Sequence, residues 1–576
     1  MRRQGLWRWG LGLMVFFMAG ITAEAKEEPT LWTGREMRLI DQPDEIVATL
    51  ENGLTVILRR HDVAPVATVR FFVRAGSVWE QGLYGAGLSH LFEHLLMGGS
   101  TTTHTDEELR DMMMEIGADH NAYTSKDRTM YYLTVPREHI RTAITILADR
   151  VTRPAFPQDE FDREWGVVQR ELEMYSSMPD RQAYNIFNEL RYKVHPMRFP
   201  IIGHQEILRQ VSREEILDYY RRMYVPDNGI FVVAGDIDVE EMLAAVREEF
   251  SGFQRRPAPE IVLPEEPTVT APRRLVKVFE SMQGPAKLWL GFPSIKLQHE
   301  DLYAFDALAS ILGQGRSSRL YRALREEKQL VLNIDAWNFT PYYVEGTFLV
   351  VCELLPENVA AAEKAIWEEL ERVSREGVSE EELIRTKRQL EVGHIRENQT
   401  AEQIADNMAQ DYQSTGDAHF SDHYIEYMSR VTAQQVQDMA RKYFDRNRQL
   451  TMVLTPRPLA SEEKTAQRAK AEEGGIRKIV LDNGLRVLLK STRAVPLVNV
   501  QMWVLGGLFD ESEANNGISW MMTRASLRGT THYTAREIDA YFDGIGGELN
   551  AESANNSICY KTVSYTHLTL PTNREV

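Results

Sequence analysis

The stretch His90-Leu-Phe-Glu-His94 sets two imidazoles four residues apart with a carboxylate between them. On a helix four positions advance by about 400°, so His90 and His94 project one turn apart from one face, where both can bind one ion. Glu93 would then reach a water on that ion and accept its proton, the general-base step of metal-assisted hydrolysis. Leu88, Leu91, Leu95 and Leu96 supply the apolar stripe such a helix needs. Taken alone the motif is short, and two histidines on a helix are more often satisfied polar groups than ligands. A hydrolytic zinc site takes a third protein ligand and keeps a position open. Cys352 and Cys559, the two cysteines, lie 207 residues apart, so there is neither a disulfide framework nor a CxxC site, and the remaining candidate for the third ligand is a carboxylate. Glu171 is the candidate. Residues 159–175 carry Phe161, Trp165, Val168 and Leu172 at helical spacing, and Glu164 and Glu171, seven apart, return to nearly one face after about 700°. Glu160 and Glu173 read as the solvated side of that helix.

These residues need a scaffold, and 576 residues at about 150 per domain predict three to four domains. Apolar residues at 43% let each bury an ordinary core. Lys+Arg number 66 against 84 Asp+Glu, and the net charge of -18 argues against nucleic acid or an anionic membrane as the main partner. Glu51-Asn-Gly-Leu-Thr-Val-Ile-Leu58 returns as Asp482-Asn-Gly-Leu-Arg-Val-Leu-Leu489, offset by 431, and Ile116-Gly-Ala-Asp-His-Asn-Ala122 returns as Ile545-Gly-Gly-Glu-Leu-Asn-Ala551, offset by 429. An α+β domain therefore begins twice. Helical periodicity over residues 301–312 and 359–375, with buried-strand runs at 288–292 and 346–351, predicts a further domain between the copies.

The predicted division is a signal peptide over 1–25, a first domain over 43–255, a second over 272–456, a linker over 457–475, and a partial copy of the first domain over 476–562. Residues 254–272, rich in Pro and acidic, read as a solvated connector. The signal rests on Arg2, Arg3 and Arg8, an apolar run over 11–21 too short for a comfortable span, and an Ala23-Glu24-Ala25 cleavage site. It predicts a bacterial periplasmic or secreted protein without stable membrane insertion after cleavage. Residues 563–576 resemble a translated sequencing adaptor and are expected to lie outside the fold, leaving the second copy shorter than the first.

His-x-x-Glu-His, then 76 residues, then the Glu171 of an E-x6-E pair resembles the inverzincins, the pitrilysin- and insulinase-like zinc peptidases that include the mitochondrial processing peptidase. The resemblance implies one Zn2+ per chain held by His90, His94 and Glu171, with Glu93 as base and Glu164 supporting the catalytic site. It also likens residues 117–125 to a strand beside the zinc that hydrogen-bonds substrate, implicating Asn121, Ala122 and Tyr123. Arg325 matches an arginine that in relatives precedes a substrate-binding tyrosine by seven residues, but Leu332 stands at the tyrosine position. The implied fold is α+β, with repeated domains of a mixed, mostly antiparallel sheet and helices on one face. Relatives assemble four such domains in two halves around a chamber. In the second copy Trp520, Thr523 and Arg524 occupy the positions of His90, Glu93 and His94 and cannot hold zinc. The expected function is a zinc endopeptidase acting on peptides or unfolded segments within a chamber that the second half closes. The alternative is a catalytically silent peptide-binding or assembly subunit of the same fold.

Overall fold

The computed structural model describes residues 35–279, 282, 284–457, 459, 477–490, 497–512, 515–544, 548–554 and 556–565. The predicted signal peptide and nearly all of the 457–475 linker lie outside them.

The first domain comprises β1 Met37–Gln42, β2 Glu45–Thr49, β3 Thr55–Arg60, β4 Val66–Val73, α1 Leu88–Met97, α2 Asp106–Glu115, β5 Asp119–Thr124, β6 Thr129–Pro136, α3 Ile140–Thr152, α4 Gln158–Ser176, α5 Pro179–Arg191, α6 Gln205–Leu208, α7 Arg213–Met223, β7 Gly229–Gly235 and α8 Val239–Glu249. Its seven strands run in the order β1-β2-β3-β7-β4-β6-β5. All pairs are antiparallel except β3 with β7. β4, Val-Ala-Thr-Val-Arg-Phe-Phe-Val, is covered on both faces, so Phe71 and Phe72, which point oppositely, are both fully buried. Phe71 joins the core beneath α1, α3 and α8, whereas Phe72 joins a second core.

The second domain follows with β8 Arg273–Val278, β9 Ala286–Pro293, α9 Leu302–Gly313, β10 Asn333–Phe339, β11 Thr347–Leu354, α10 Val359–Glu376, α11 Glu380–Arg396, α12 Ala401–Thr415, α13 Phe420–Ser429, α14 Ala433–Tyr443 and β12 Leu450–Thr455. Its sheet, β10-β11-β9-β12-β8, also has one parallel pair, β12 with β8. The two domains exchange helices. Ala405, Met408 and Ala409 of α12 cover the outer face of the first sheet, while Ala183, Ile186 and Phe187 of α5 cover Leu450, Met452 and Leu454 of β12. Each domain's own helices thus take one face of its sheet and the neighbour supplies the other.

The stretch 254–272 is less solvated than its composition predicts. Val269 is buried, and the Glu266 carboxylate accepts the backbone N–H groups of Lys193, Val194 and His195 at 2.7–3.0 Å, fastening the connector to the first domain.

The last elements are β13 Arg477–Val480, β14 Arg486–Leu489, β15 Leu497–Leu505, α15 Ile518–Ser526, α16 Ala535–Gly544, β16 Glu548–Ser553 and β17 Ser557–Tyr565. The order β15-β17-β16 repeats β4-β6-β5. Among the described residues no strand takes the place that β7 holds between β3 and β4, so the β13-β14 hairpin and the three-stranded sheet stay separate. β17 continues through Tyr565, three residues into the adaptor-like segment.

Candidate metal centre

α1 starts where the chain turns sharply at Gly87, with φ 74°. A Cβ there would lie 2.2 Å from the carbonyl oxygen of Ile202, so only glycine permits this approach. The helix buries Leu88, Leu91, Phe92, Leu95 and Leu96 against the sheet, which leaves His90, Glu93 and His94 on the face toward α4 and β5. α4 buries Phe161 and Val168 and thereby presents Glu164 and Glu171 to α1.

Glu171 Oε2 lies 3.3 Å from His94 Nε2 and 3.6 Å from His90 Nε2. The three donor atoms all fall within 4.8 Å of one another, the one such His/Cys/Asp/Glu group among the described residues. The two contacts are longer than an ordinary N–H···O hydrogen bond. They suit donors around one ion, since two ligands each about 2.0–2.1 Å from a tetrahedral centre lie about 3.4 Å apart. Two imidazoles and a carboxylate are also a donor set used by catalytic zinc sites. The residues present therefore fit the ion.

Glu164 is not in this triangle. Its Oε2 lies 3.6 Å from His94 Nδ1, the ring nitrogen turned away from Glu171, and its Oε1 accepts from Arg163 Nε at 2.9 Å. It faces the outer nitrogen of His94, the place an outer carboxylate takes beside a metal-binding histidine. Burial opposes its charge, but the nearby His94 and Arg163 prevail and hold its pKa below the usual range. Glu171 is pulled down to about 2, first by His94 and, against burial, also by Tyr175. Burial lowers His90 to about 4 and keeps it neutral. Burial also acts to lower His94, but Glu164 and Glu171 raise it to about 9 without an ion. Ion binding at such a site displaces that proton.

Glu93 accepts a 2.6 Å hydrogen bond from the Thr124 hydroxyl, and burial raises its pKa. Thr124 ends β5, which among the described residues is an edge strand paired only with β6, so Asn121, Ala122 and Tyr123 lie on a sheet edge beside the cluster. The Ala122 N–H is taken by the Asn121 side chain at 2.9 Å. Arg325 is placed differently. It sits exposed in a π-helical turn, Tyr321–Glu327, with its guanidinium 5.5 Å from the Tyr321 ring centroid, and no hydrogen bond or ion pair among the described residues joins it to the cluster. Leu332 is likewise exposed. Thr124 and Tyr175 were not singled out from the sequence. Tyr175 stands four residues, one helical turn, beyond Glu171, a spacing that could have found it.

The family description "Insulinase (Peptidase family M16)" matches residues 55–204 and again 486–570, and "Peptidase M16 inactive domain" matches 210–390. The zinc protease YmxG of Bacillus subtilis, itself called uncharacterized, is 26% identical over 406 residues, 70% of this chain and 97% of its own length. An uncharacterized zinc protease of Rickettsia felis is 28% identical over 404 residues, 69% of this chain and 94% of its own. Among solved structures, a protease from Helicobacter pylori superposes with a TM-score of 0.66 at 24% identity, covering 72% of this chain and all of that one. The periplasmic protease PqqL from Escherichia coli superposes at 0.62 and 16% identity, covering 92% of this chain and 65% of that one. These two structures share the fold. Because one description fits both copies and its companion fits the region between them, the chain belongs to peptidase family M16, the insulinase family.

Proposed function

We propose that this protein is an exported zinc endopeptidase that hydrolyses peptides or unfolded protein segments inside a closed chamber. The observation that carries the reading is the convergence of His90, His94 and Glu171 with Glu93 on the same helix. Zinc, when bound there, supplies Lewis-acid chemistry that acidifies water and polarises a carbonyl. His90, His94 and Glu171 hold it, and Glu164 keeps the His94 ring in its binding orientation. Glu93 takes the proton from the attacking water and returns it to the leaving amine; its raised proton affinity and the Thr124 bond that fixes its rotation suit both transfers. The β5 edge pairs with the substrate backbone near Ala122, giving affinity with little demand on side chains. The relatives' designation as zinc proteases supports the metal.

The test is hydrolysis of a mixed peptide library by the full chain with zinc, after chelation, and after zinc is restored. Loss and recovery of cleavage at internal bonds is expected. No cleavage with zinc bound would overturn the peptidase reading, and a profile ruled by one obligatory residue would overturn backbone pairing as the main source of affinity.

A further inference from the structure

The helix that carries the histidines is held at both ends by buried polar side chains. Glu80, fully buried, accepts the backbone N–H of Gly87 at 3.0 Å and of Ser89 at 2.9 Å. These belong to the donors that a helix start leaves without intrahelical partners. At the other end Arg150 of α3, also buried, donates from Nη1 to the carbonyls of Leu96 at 3.0 Å and Gly99 at 3.1 Å. Arg163 of α4 donates to the carbonyl of Gly98 while holding Glu164. Asp106, the first residue of α2, lies 3.6 Å from Arg150 and 3.5 Å from Arg163 and ties the two guanidinium groups together. The two guanidinium groups at the C-terminus complement the helix dipole.

Other helices of this chain start more simply. α2 and α7 use Thr105 and Ser212 with a glutamate three residues on, a capping box internal to each helix. Such a cap satisfies the donors but cannot fix the helix relative to its surroundings. Glu80 reaches α1 from a separate turn seven residues upstream, where the Trp79 indole N–H is bonded to the Asp127 carbonyl at 2.8 Å. A buried carboxylate is costly to desolvate, so a hydroxyl would be the cheaper cap if helix stability were its only purpose. The second copy keeps the device: Glu511 accepts from Gly517 at 2.6 Å and Ser519 at 2.9 Å, ahead of a helix that has lost the metal residues.

We propose that Glu80 and Arg150 are positioning residues for the metal centre, fixing the axial position and rotation of α1 relative to α4 so that His90 and His94 meet Glu171. This rests on reading the cluster as a zinc centre. Ten residues span about 15 Å, so a small rotation or slide set at either end is felt at both histidines.

The experiment compares Glu80→Gln, Glu80→Asp and Arg150→Lys in the full chain with the matched control Glu511→Gln. Zinc affinity by chelator competition, the d–d spectrum of the Co2+-loaded protein, kcat, KM and Tm are read for each. Glu80→Gln is expected to weaken zinc binding and lower kcat by about 10- to 100-fold with a displaced Co2+ spectrum and little change in KM. Glu80→Asp is expected to recover part of the loss, and Glu511→Gln to leave every metal readout at wild type. A lower Tm with wild-type affinity and spectrum in Glu80→Gln would overturn the proposal. If Glu80→Gln does not fold, wild-type affinity and spectrum in both Glu80→Asp and Arg150→Lys would overturn it equally. Zinc affinity and the Co2+ spectrum need no turnover, so they test the positioning role even if the wild-type protein cleaves nothing.

Discussion

The two copies of the opening domain share a start and differ in what it serves. α1 and α15 both begin at a glycine in the left-handed region, Gly87 and Gly517, and both are capped by a glutamate six or seven residues upstream. The three strands β15-β17-β16 follow the order of β4-β6-β5. Yet the His90, Glu93 and His94 positions hold Trp520, Thr523 and Arg524, and Arg524 rests over the Trp520 ring 5.5 Å from its centroid. Burial differs as much as chemistry: α1 packs Leu91 and Phe92 into the core, whereas Met521 and Met522 are exposed. β7, α3, α8 and α12 enclose the first copy, and no counterparts enclose the second among the described residues. The comparison separates placing a helix from arming it, since the cap survives where the ligands do not.

The sharpest way to break the comparison is to write the second copy into the first. His94→Arg is expected to abolish both zinc content and hydrolysis while far-UV circular dichroism stays at wild type, because the ends of α1 are untouched. Glu93→Gln is expected to keep zinc and lower kcat by about 10²- to 10⁴-fold. Equal metal loss in the two variants would overturn the division between ligand and base.

Burial predicts a smaller difference. Leu91→Ala is expected to cost about 2–5 kcal/mol in denaturant unfolding, and the aligned Met521→Ala less than about 0.5 kcal/mol, because only Leu91 leaves a cavity. Comparable losses would show that α15 is enclosed in solution.

The smallest effect lies where the second domain grips the first copy. His419, between α12 and α13, bonds Glu45 of β2 at 2.6 Å and Asp422 at 2.9 Å. Glu45 first, and then Asp422 against burial, raise its pKa from 6.5 to about 9. A histidine with a raised folded-state pKa contributes fully below its unfolded value, and the contribution fades as pH rises through the folded one. Stability should therefore fall between about pH 6.5 and 9 by no more than about 1 kcal/mol, the partly exposed ring being screened. His419→Ala should flatten that slope, and an unchanged slope would assign it elsewhere.

The local elements and the repeat are written in short-range residue patterns. Apolar residues at three- and four-residue spacing placed one helix around His90–His94 and another over residues 159–175, which the structure shows as Leu88–Met97 and Gln158–Ser176, and the 3.6-residue period alone put His90 beside His94 and Glu164 above Glu171. The offset of 431 also pairs Glu80 with Glu511, a signal that was present but carried no chemistry until the backbone bonds were seen. The three-dimensional packing set what lies beyond that range: that His90 and His94 meet Glu171, with 76 residues between His94 and Glu171, at 3.3–3.6 Å between donor atoms, that Thr124 holds Glu93, and that β5 is an edge. It also decided that α5 and α12 change places, so that each sheet's second face is closed by the other domain. The physical reason is range. Helical and strand periods follow from bonds between residues a few positions apart, whereas the distance from α1 to α4 depends on side chains of α2, α3 and the Glu80 turn packing and pairing together, and no single stretch of sequence encodes that.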